Sequence, residues 1–193
     1  MANGRVITGF SKPYVAKYAV SNGTVTYSEG MVLARGVDVS IEPDTTSDNN
    51  FYADNIIAES EAGIFNGGTL TMNVDGLKDA ANKLIYGLPT ASNDGWTDYD
   101  NTQATPYVGV GFVVRYMESG GTTFVPLVLT KALFNEASTS AATQEDQIDW
   151  QTQELTAQLF RDDTAKQGWK KLGTSQETEA AAEAQIKTFF NIS

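Results

Sequence analysis

An alternation of apolar and polar residues with a period of two recurs along most of the chain. In residues 107–117 the even positions are apolar, and residues 31–41, 69–74 and 150–161 alternate in a similar way. Successive side chains of a β-strand point to opposite faces, so this period predicts strands with one buried face. The alternation therefore favours a fold built mainly of β-sheet.

Residues 122–134 differ from the other predicted strands because both of their faces are apolar. Phe124, Val128 and Phe134 all belong to the second apolar face. A strand that is apolar on both faces is expected to be buried on both sides. One side would meet the core, and the other would meet either a helix or a partner subunit.

A tight hairpin and two helices complete the predicted elements. Asn22 and Gly23 both tolerate positive φ, and they predict a hairpin turn between two early strands. Apolar residues at helical spacing predict helices at 75–88 and 175–190. Asp75 is expected to cap the first helix. A capping box is expected before the second helix, formed by Thr174 and Glu177.

Three long stretches between these elements carry neither period. They are residues 43–68, 89–106 and 136–147 of a chain that we interpret as one domain, 1–193. Loops longer than about 12–15 residues are uncommon in compact domains and are usually functional or disordered. We therefore expect these loops to provide surfaces that become ordered against partners.

Composition excludes several classes of function. The chain has no Cys and no His, which removes disulfides, thiolate metal sites and histidine-dependent catalysis. Its formal net charge is −11, the reverse of the basic patch that tight nucleic-acid binding requires. It has no long apolar run, so neither a membrane span nor a signal peptide is expected. We predict no enzyme activity, no cofactor and no bound metal.

Two acidic clusters could suggest chemistry, but neither has the required pattern. The first cluster lacks the ligand spacing and closing Glu of a calcium loop. The second cannot be assigned as the carboxylate pair of a glycosidase, because sequence does not fix their separation. We interpret both as hydrated loops; they consist of Asp94, Asp98, Asp100 and Asn101, and of Glu42, Asp44, Asp48 and Asp54.

The order of several short segments resembles the major tail proteins, or tail-tube proteins, of long-tailed non-contractile phages of Gram-positive bacteria. The matching segments extend over nearly the whole chain, whereas the loop at 89–106 and the C-terminal helix depart from the usual pattern. The segments are VDVSIEP at 37–43, FYAD at 51–54, YVGVGF at 107–112, LTKALF at 129–134, FR at 160–161 and GWK at 168–170.

The resemblance implies a β-sandwich or curled barrel of the tail-tube type, mainly β within the α+β class, with a flanking helix and a C-terminal helix. Hexameric rings would stack into a hollow tube through which genomic DNA passes during ejection. The implied partners are other copies of the chain, a tape-measure protein, and the tail terminator and distal tail proteins, with transient DNA contact in the lumen. The implied location is the virion tail, after assembly in the host cytoplasm.

The resemblance also assigns contact residues. The segment 43–68 would reach a neighbouring ring through Asp44, Thr45, Asp48, Asn50, Phe51, Tyr52 and Asp54. The strand that is apolar on both faces would meet a neighbouring subunit through Phe124, Val128 and Phe134.

Two other functional classes remain open. A carbohydrate- or host-binding module of a virion would need an aromatic platform, for which the candidates are Trp96, Tyr99, Trp150 and Trp169. A hydrolase with two carboxylates is the third hypothesis.

Overall fold

The protein has a mainly β fold, with an antiparallel sheet and a C-terminal helix, which confirms the predicted fold class. A computed structural model describes residues 4–89, 95–101, 103–139 and 151–192. In those ranges the strands are β1 Val6–Ser21, β2 Thr24–Val32, β3 Gly36–Thr45, β4 Asn49–Ala53, β5 Ile56–Glu61, β6 Phe65–Val74, β7 Val108–Glu118, β8 Gly121–Phe134, β9 Gln153–Phe160 and β10 Lys170–Leu172, and the helices are α1 Asp79–Tyr86 and α2 Glu179–Phe189.

One large sheet contains every strand except β4 and β5, which pair with each other. Its strand order is β2-β1-β7-β8-β9-β6-β3, and β10 pairs with β8 beside β9. The sheet curls, because the ring of Phe10 on β1 lies directly against the backbone of Gly36 at the start of β3. Strand β3 therefore begins beneath β1 although it stands at the far edge of the sheet.

Two apolar clusters hold the fold together, one on each side of the sheet. The larger lies inside the curl and includes Leu70, Leu129 and Leu155, all fully buried. The smaller lies between the outer face and α2, where Ile186 and Phe190 are fully buried. Burying a large apolar side chain stabilises a fold by about 1.5–3 kcal/mol, so both clusters contribute substantially.

The turn at Asn22 and Gly23 is confirmed, because both residues have positive φ, at 50° and 73°. Residues 31–41, however, form parts of two strands and not one. Strand β2 ends at Val32, and β3 begins at Gly36 with a register shift before Asp38. That shift leaves the side chain of Val37 exposed, whereas the alternation predicts that it faces the core.

Both helices are shorter than predicted, and both expected N-caps were wrong. Lys78 is the N-cap of α1, whereas the Asp75 carboxylate accepts from the backbone N–H of Arg35 at 2.9 Å. In α2 the hydroxyl of Thr178 accepts from the N–H of Ala181, so Thr174 belongs to the preceding connection. Helix α1 ends at Tyr86, and its C-cap Gly87 has a left-handed φ of 66°.

The prediction that residues 43–68 are a long irregular loop was wrong. Strands β3 and β6 extend into that range from its two ends, and β4 and β5 form an antiparallel hairpin between them. The described parts of 89–106 and 136–147 have no helix or strand, as predicted. Residues 90–94, 102 and 140–147 lie outside the described residues.

Candidate assembly surface

The β4–β5 hairpin, residues 49–61, exposes several large apolar side chains. Phe51, Tyr52, Ile56 and Ile57 are 64%, 61%, 66% and 53% exposed. Every residue of β5 is exposed. A two-stranded hairpin is at best marginally stable in water, and large apolar side chains on a soluble protein usually mark a contact surface.

The register of the hairpin places apolar side chains on both of its faces. Tyr52 pairs with Ile57, and Ala53 pairs with Ile56. Residues directly opposite each other in an antiparallel pair share a face, and successive residues alternate. One face therefore carries Tyr52 and Ile57, while the other carries Phe51 and Ile56.

A tight turn and a close neck fix the shape of the hairpin. At the tip, Asp54 and Asn55 have φ of 51° and 65°, which is the left-handed pair of a type I′ turn. At the neck, the Asp48 carboxylate accepts from the N–H of Gly63 at 2.8 Å, and the Thr46 hydroxyl accepts from the N–H of Ile64 at 3.0 Å.

Glycine is needed in this neck because two backbone segments approach closely. A Cβ added to Gly63 would lie 1.7 Å from the carbonyl oxygen of Thr46.

A neighbouring contact fixes the start of β6, where Phe65 stacks on Trp169 with ring centroids 4.2 Å apart. Trp169 is thereby committed to packing and not to an open aromatic platform. Trp96 and Tyr99 are exposed, and Trp150 lies outside the described residues.

The structure distributes the predicted contact residues over four parts of this region. The carboxylate of Asp48 belongs to the neck, so its role is to shape the hairpin. Asn50 is half-buried. The missed contributors are Ile56 and Ile57, which the Asp54–Asn55 turn signal could have revealed. Of the predicted set, Asp44 and Thr45 end β3, Asn50, Phe51 and Tyr52 lie on β4, and Asp54 lies in the turn.

The predicted interface on β8 is buried within the chain itself. Val128 and Phe134 are 6% and 3% exposed, and Phe124 is half-buried. Helix α2 covers Phe124 and Val128, whereas Phe134 joins the larger cluster. Val108 pairs with Ala132 and Val110 with Leu129, which leaves an extra residue in β8. Beyond that residue, even-numbered and odd-numbered side chains of β8 exchange faces. The second apolar face therefore needs no partner subunit, and we no longer assign these three residues to an interface.

Polar contacts as well as packing hold α2 on the sheet. The Tyr14 hydroxyl donates to Glu183 at 2.5 Å, and Lys12 and Lys187 lie 3.4 and 3.0 Å from the same carboxylate. The Ser11 hydroxyl donates to Glu179. The hydrogen bond from Tyr14 is the main cause that lowers the pKa of Glu183. Burial is the main cause that raises the pKa of Tyr14.

A second polar cluster joins β1, β8 and the segment after β9. Asp163 accepts from the Tyr18 hydroxyl at 2.6 Å and from Lys131 at 2.7 Å. The bond from Lys131 is the main cause that lowers the pKa of Asp163. Burial, followed by the bond to Asp163, raises the pKa of Tyr18 to about 12. Every polar group in this cluster has a partner, and we interpret it as structural.

Strands β3, β6 and β9 present a continuous polar face opposite the larger apolar cluster. Its rows follow the register, so that Glu42, Thr69 and Gln158 stand side by side, as do Ser40, Thr71 and Thr156. None of its members is basic. We call this set the polar face; it consists of Asp38, Ser40, Glu42, Thr69, Thr71, Asn73, Glu154, Thr156 and Gln158, all exposed or half-buried.

No group of three or more metal-ligating side chains occurs among the described residues. Neither helix in those ranges is long and apolar enough to cross a membrane. Comparisons of the chain with protein-family models and with curated proteins gave no match.

Proposed function

We propose that this protein is a structural subunit that assembles with copies of itself, and that it forms the tube of a phage tail. The observation that carries the proposal is the β4–β5 hairpin, which exposes large apolar side chains on both faces. A catalytic or ligand-binding role would not require such a projection. Contact with a second protein surface would remove these side chains from water.

Strand β3 supports assembly in a second way. Its outer edge pairs with no strand among the described residues. An open edge is a row of unpaired N–H and C=O groups that can template another strand. Asp38, Glu42 and Asp44 lie along β3 and would discourage indiscriminate pairing. In the proposed ring, this edge meets a neighbouring subunit and the sheet continues around the channel.

We assign the polar face to the lumen. Its acidic and neutral side chains offer no cation with which to hold a DNA phosphate, and the chain as a whole carries a net charge of −11. Each phosphate neutralised by a protein cation adds attraction, so a lumen of this chemistry lets the polyanion pass. The tape-measure, terminator and distal tail proteins enter the proposal through the family resemblance, as does the location in the virion tail.

The test is to remove the hairpin and ask whether the subunit still polymerises. Deleting residues 44–55 would leave β5 without its partner, so the sharper variant replaces residues 49–61 by a short Gly-Ser linker. Concentrated wild-type protein should form rings or hollow tubes in electron micrographs. The variant should keep its β-rich circular dichroism spectrum and remain monomeric.

Two results would contradict the proposal. The wild-type protein could remain a compact monomer at every concentration and salt level, or the hairpin deletion could form tubes as readily as the wild type. A single substitution on the same element, Phe51→Ala, provides a milder variant in case the deletion disturbs folding.

A further inference from the structure

We propose that the groove between β8, β10 and α2 is the receptor for the β4–β5 hairpin of a neighbouring copy. The inference rests on the proposed self-assembly and names the surface that the hairpin contacts. We call this surface the Lys171 groove; it is lined by Pro126, Val128, Lys171, Leu172, Ile186 and Phe189, among others.

The groove is apolar and accessible. It encloses about 340 Å³ between the two strands and the helix. Leu172, on the short strand β10, is 60% exposed although it stands beside this cavity. Covering an exposed leucine and an adjacent apolar recess removes apolar area from water, which is favourable in free energy.

Lys171 lines the groove, whereas its neighbour Lys170 lies on the other face of β10. Lys170 lies over the ring of Trp169 at 4.7 Å, and Lys171 lies over the ring of Phe189 at 5.2 Å. No ion pair joins either lysine to a carboxylate of the described residues, whereas seven other cations of the chain have one. The groove therefore presents one cation, Lys171, without a carboxylate partner among the described residues, on a chain whose net charge is −11.

The hairpin has the complementary chemistry. Residues 36–77 contain no Lys or Arg. Within the hairpin, Phe51 pairs with Glu59, and Glu61 follows two residues later on the same side of β5. Phe51 and Ile56 share this face, so one surface combines apolar side chains near the tip with two carboxylates nearer the neck. Electrostatic complementarity of this kind sets register and partner choice.

The occupant is a second copy and not the chain's own hairpin. In the structure the hairpin and Leu172 are exposed together, so neither covers the other. A contact between two different patches of identical chains is heterologous, and it repeats from one copy to the next. That repetition is what a ring or a stacked tube requires.

The first test reverses the charges on each side in turn. Lys170→Glu with Lys171→Glu should raise the concentration needed for polymerisation by about 10-fold or more, because like charges then face each other. Glu59→Lys with Glu61→Lys should have the same effect. Combining all four substitutions should restore assembly towards the wild-type level. The matched control, Lys78→Glu with Lys166→Glu, makes the same charge change at exposed lysines elsewhere and should leave assembly intact.

The second test uses the absence of native cysteine. One protein carries Ile56→Cys and a second carries Leu172→Cys. When the two are mixed under assembly conditions and oxidised, a disulfide-linked dimer of one of each should form. Replacing the second protein by a Lys166→Cys variant should give little of that dimer. In a single chain with both cysteines, a cross-link within the dilute monomer would overturn the assignment to a second copy.

The outcomes separate this inference from the proposed function. If the wild-type protein never polymerises, the proposed function fails, and this inference fails with it. If the wild type forms tubes, while the Lys170 and Lys171 reversal forms them equally well and no mixed dimer appears, only the groove assignment is wrong.

Discussion

Helix α2 and the β4–β5 hairpin present the same kind of apolar surface with opposite outcomes. The inner face of α2 is covered by the chain itself, and Ile186 and Phe190 are fully buried. On the hairpin, Phe51 and Ile56 are 64% and 66% exposed. Apolar side chains buried within the chain stabilise its fold. Apolar side chains left exposed would, in the proposed assembly, be buried against a neighbouring copy. The comparison therefore separates residues that maintain the fold from those that would join subunits.

The largest expected effect comes from truncating one aromatic side chain in each region. Phe190→Ala should lower the free energy of unfolding by about 3–5 kcal/mol, because it leaves a cavity beneath α2. Phe51→Ala should change it by no more than about 0.5 kcal/mol, yet should weaken polymerisation. Urea unfolding of dilute monomer gives the first quantity, and light scattering of concentrated protein gives the second. Equal losses of monomer stability would remove the distinction.

The next effect concerns the neck. Gly63→Ala places a methyl group against the Thr46 carbonyl, so the strands must separate, at a cost of about 1–3 kcal/mol. The hairpin should lose its orientation and polymerisation should fail. Gly120→Ala is the matched control, since no atom lies within 4 Å of the added methyl. Normal tubes from the Gly63 variant would show that the neck geometry is unimportant.

A third prediction concerns pH and the attachment of α2. The pKa of Glu183 is lowered in the fold from its ordinary value of 4.5. Its stabilising contribution is therefore complete above about pH 4.5 and is lost as the pH falls through the lower folded pKa. Glu183→Gln should cost about 1–2 kcal/mol at neutral pH and should reduce the acid-dependent loss.

The control for this prediction is Glu29→Gln, which removes the exposed ion pair with Lys17 and should cost less than about 1 kcal/mol. The measurement is a series of thermal unfolding curves from pH 7 down to pH 3. An unchanged acid profile in the Glu183 variant would contradict the assigned role of this carboxylate.

The smallest expected effect is the loss of the α2 cap. Thr178→Ala removes the hydroxyl that accepts from Ala181, and should cost about 1 kcal/mol. Thr188→Ala, within the same helix, removes a hydroxyl that only bonds back to the carbonyl of Ala184, and should cost less. Both should leave polymerisation unchanged in protein that remains folded. The reverse order of stabilities would show that the cap is not formed.

The sequence predicted best those elements whose burial leaves a periodic pattern. The strand expected at 107–117 is β7, Val108–Glu118, because its even positions are apolar and pack in the larger cluster. The hairpin at 49–61 was missed because neither of its faces is buried, so no period marks it. The inward and outward faces of β8 were also predicted wrongly. An extra residue between Leu129 and Ala132 exchanges the two faces, and it is evident only from the pairing of β8 with β7 and β9. The charge of the polar face follows from composition, but its alignment across β3, β6 and β9 depends on register, which sequence alone does not fix.

The division of β8 between its neighbours has a mechanical consequence. Its first part bonds to β7 and β10, and its last part bonds to β9. The backbone of β8 is therefore hydrogen-bonded to both halves of the sheet. A force applied to β3, β6 and β9 would reach β7 and β10 through this backbone as well as through side-chain contacts. Sliding one half of the molecule past the other would therefore break several hydrogen bonds of β8 at once.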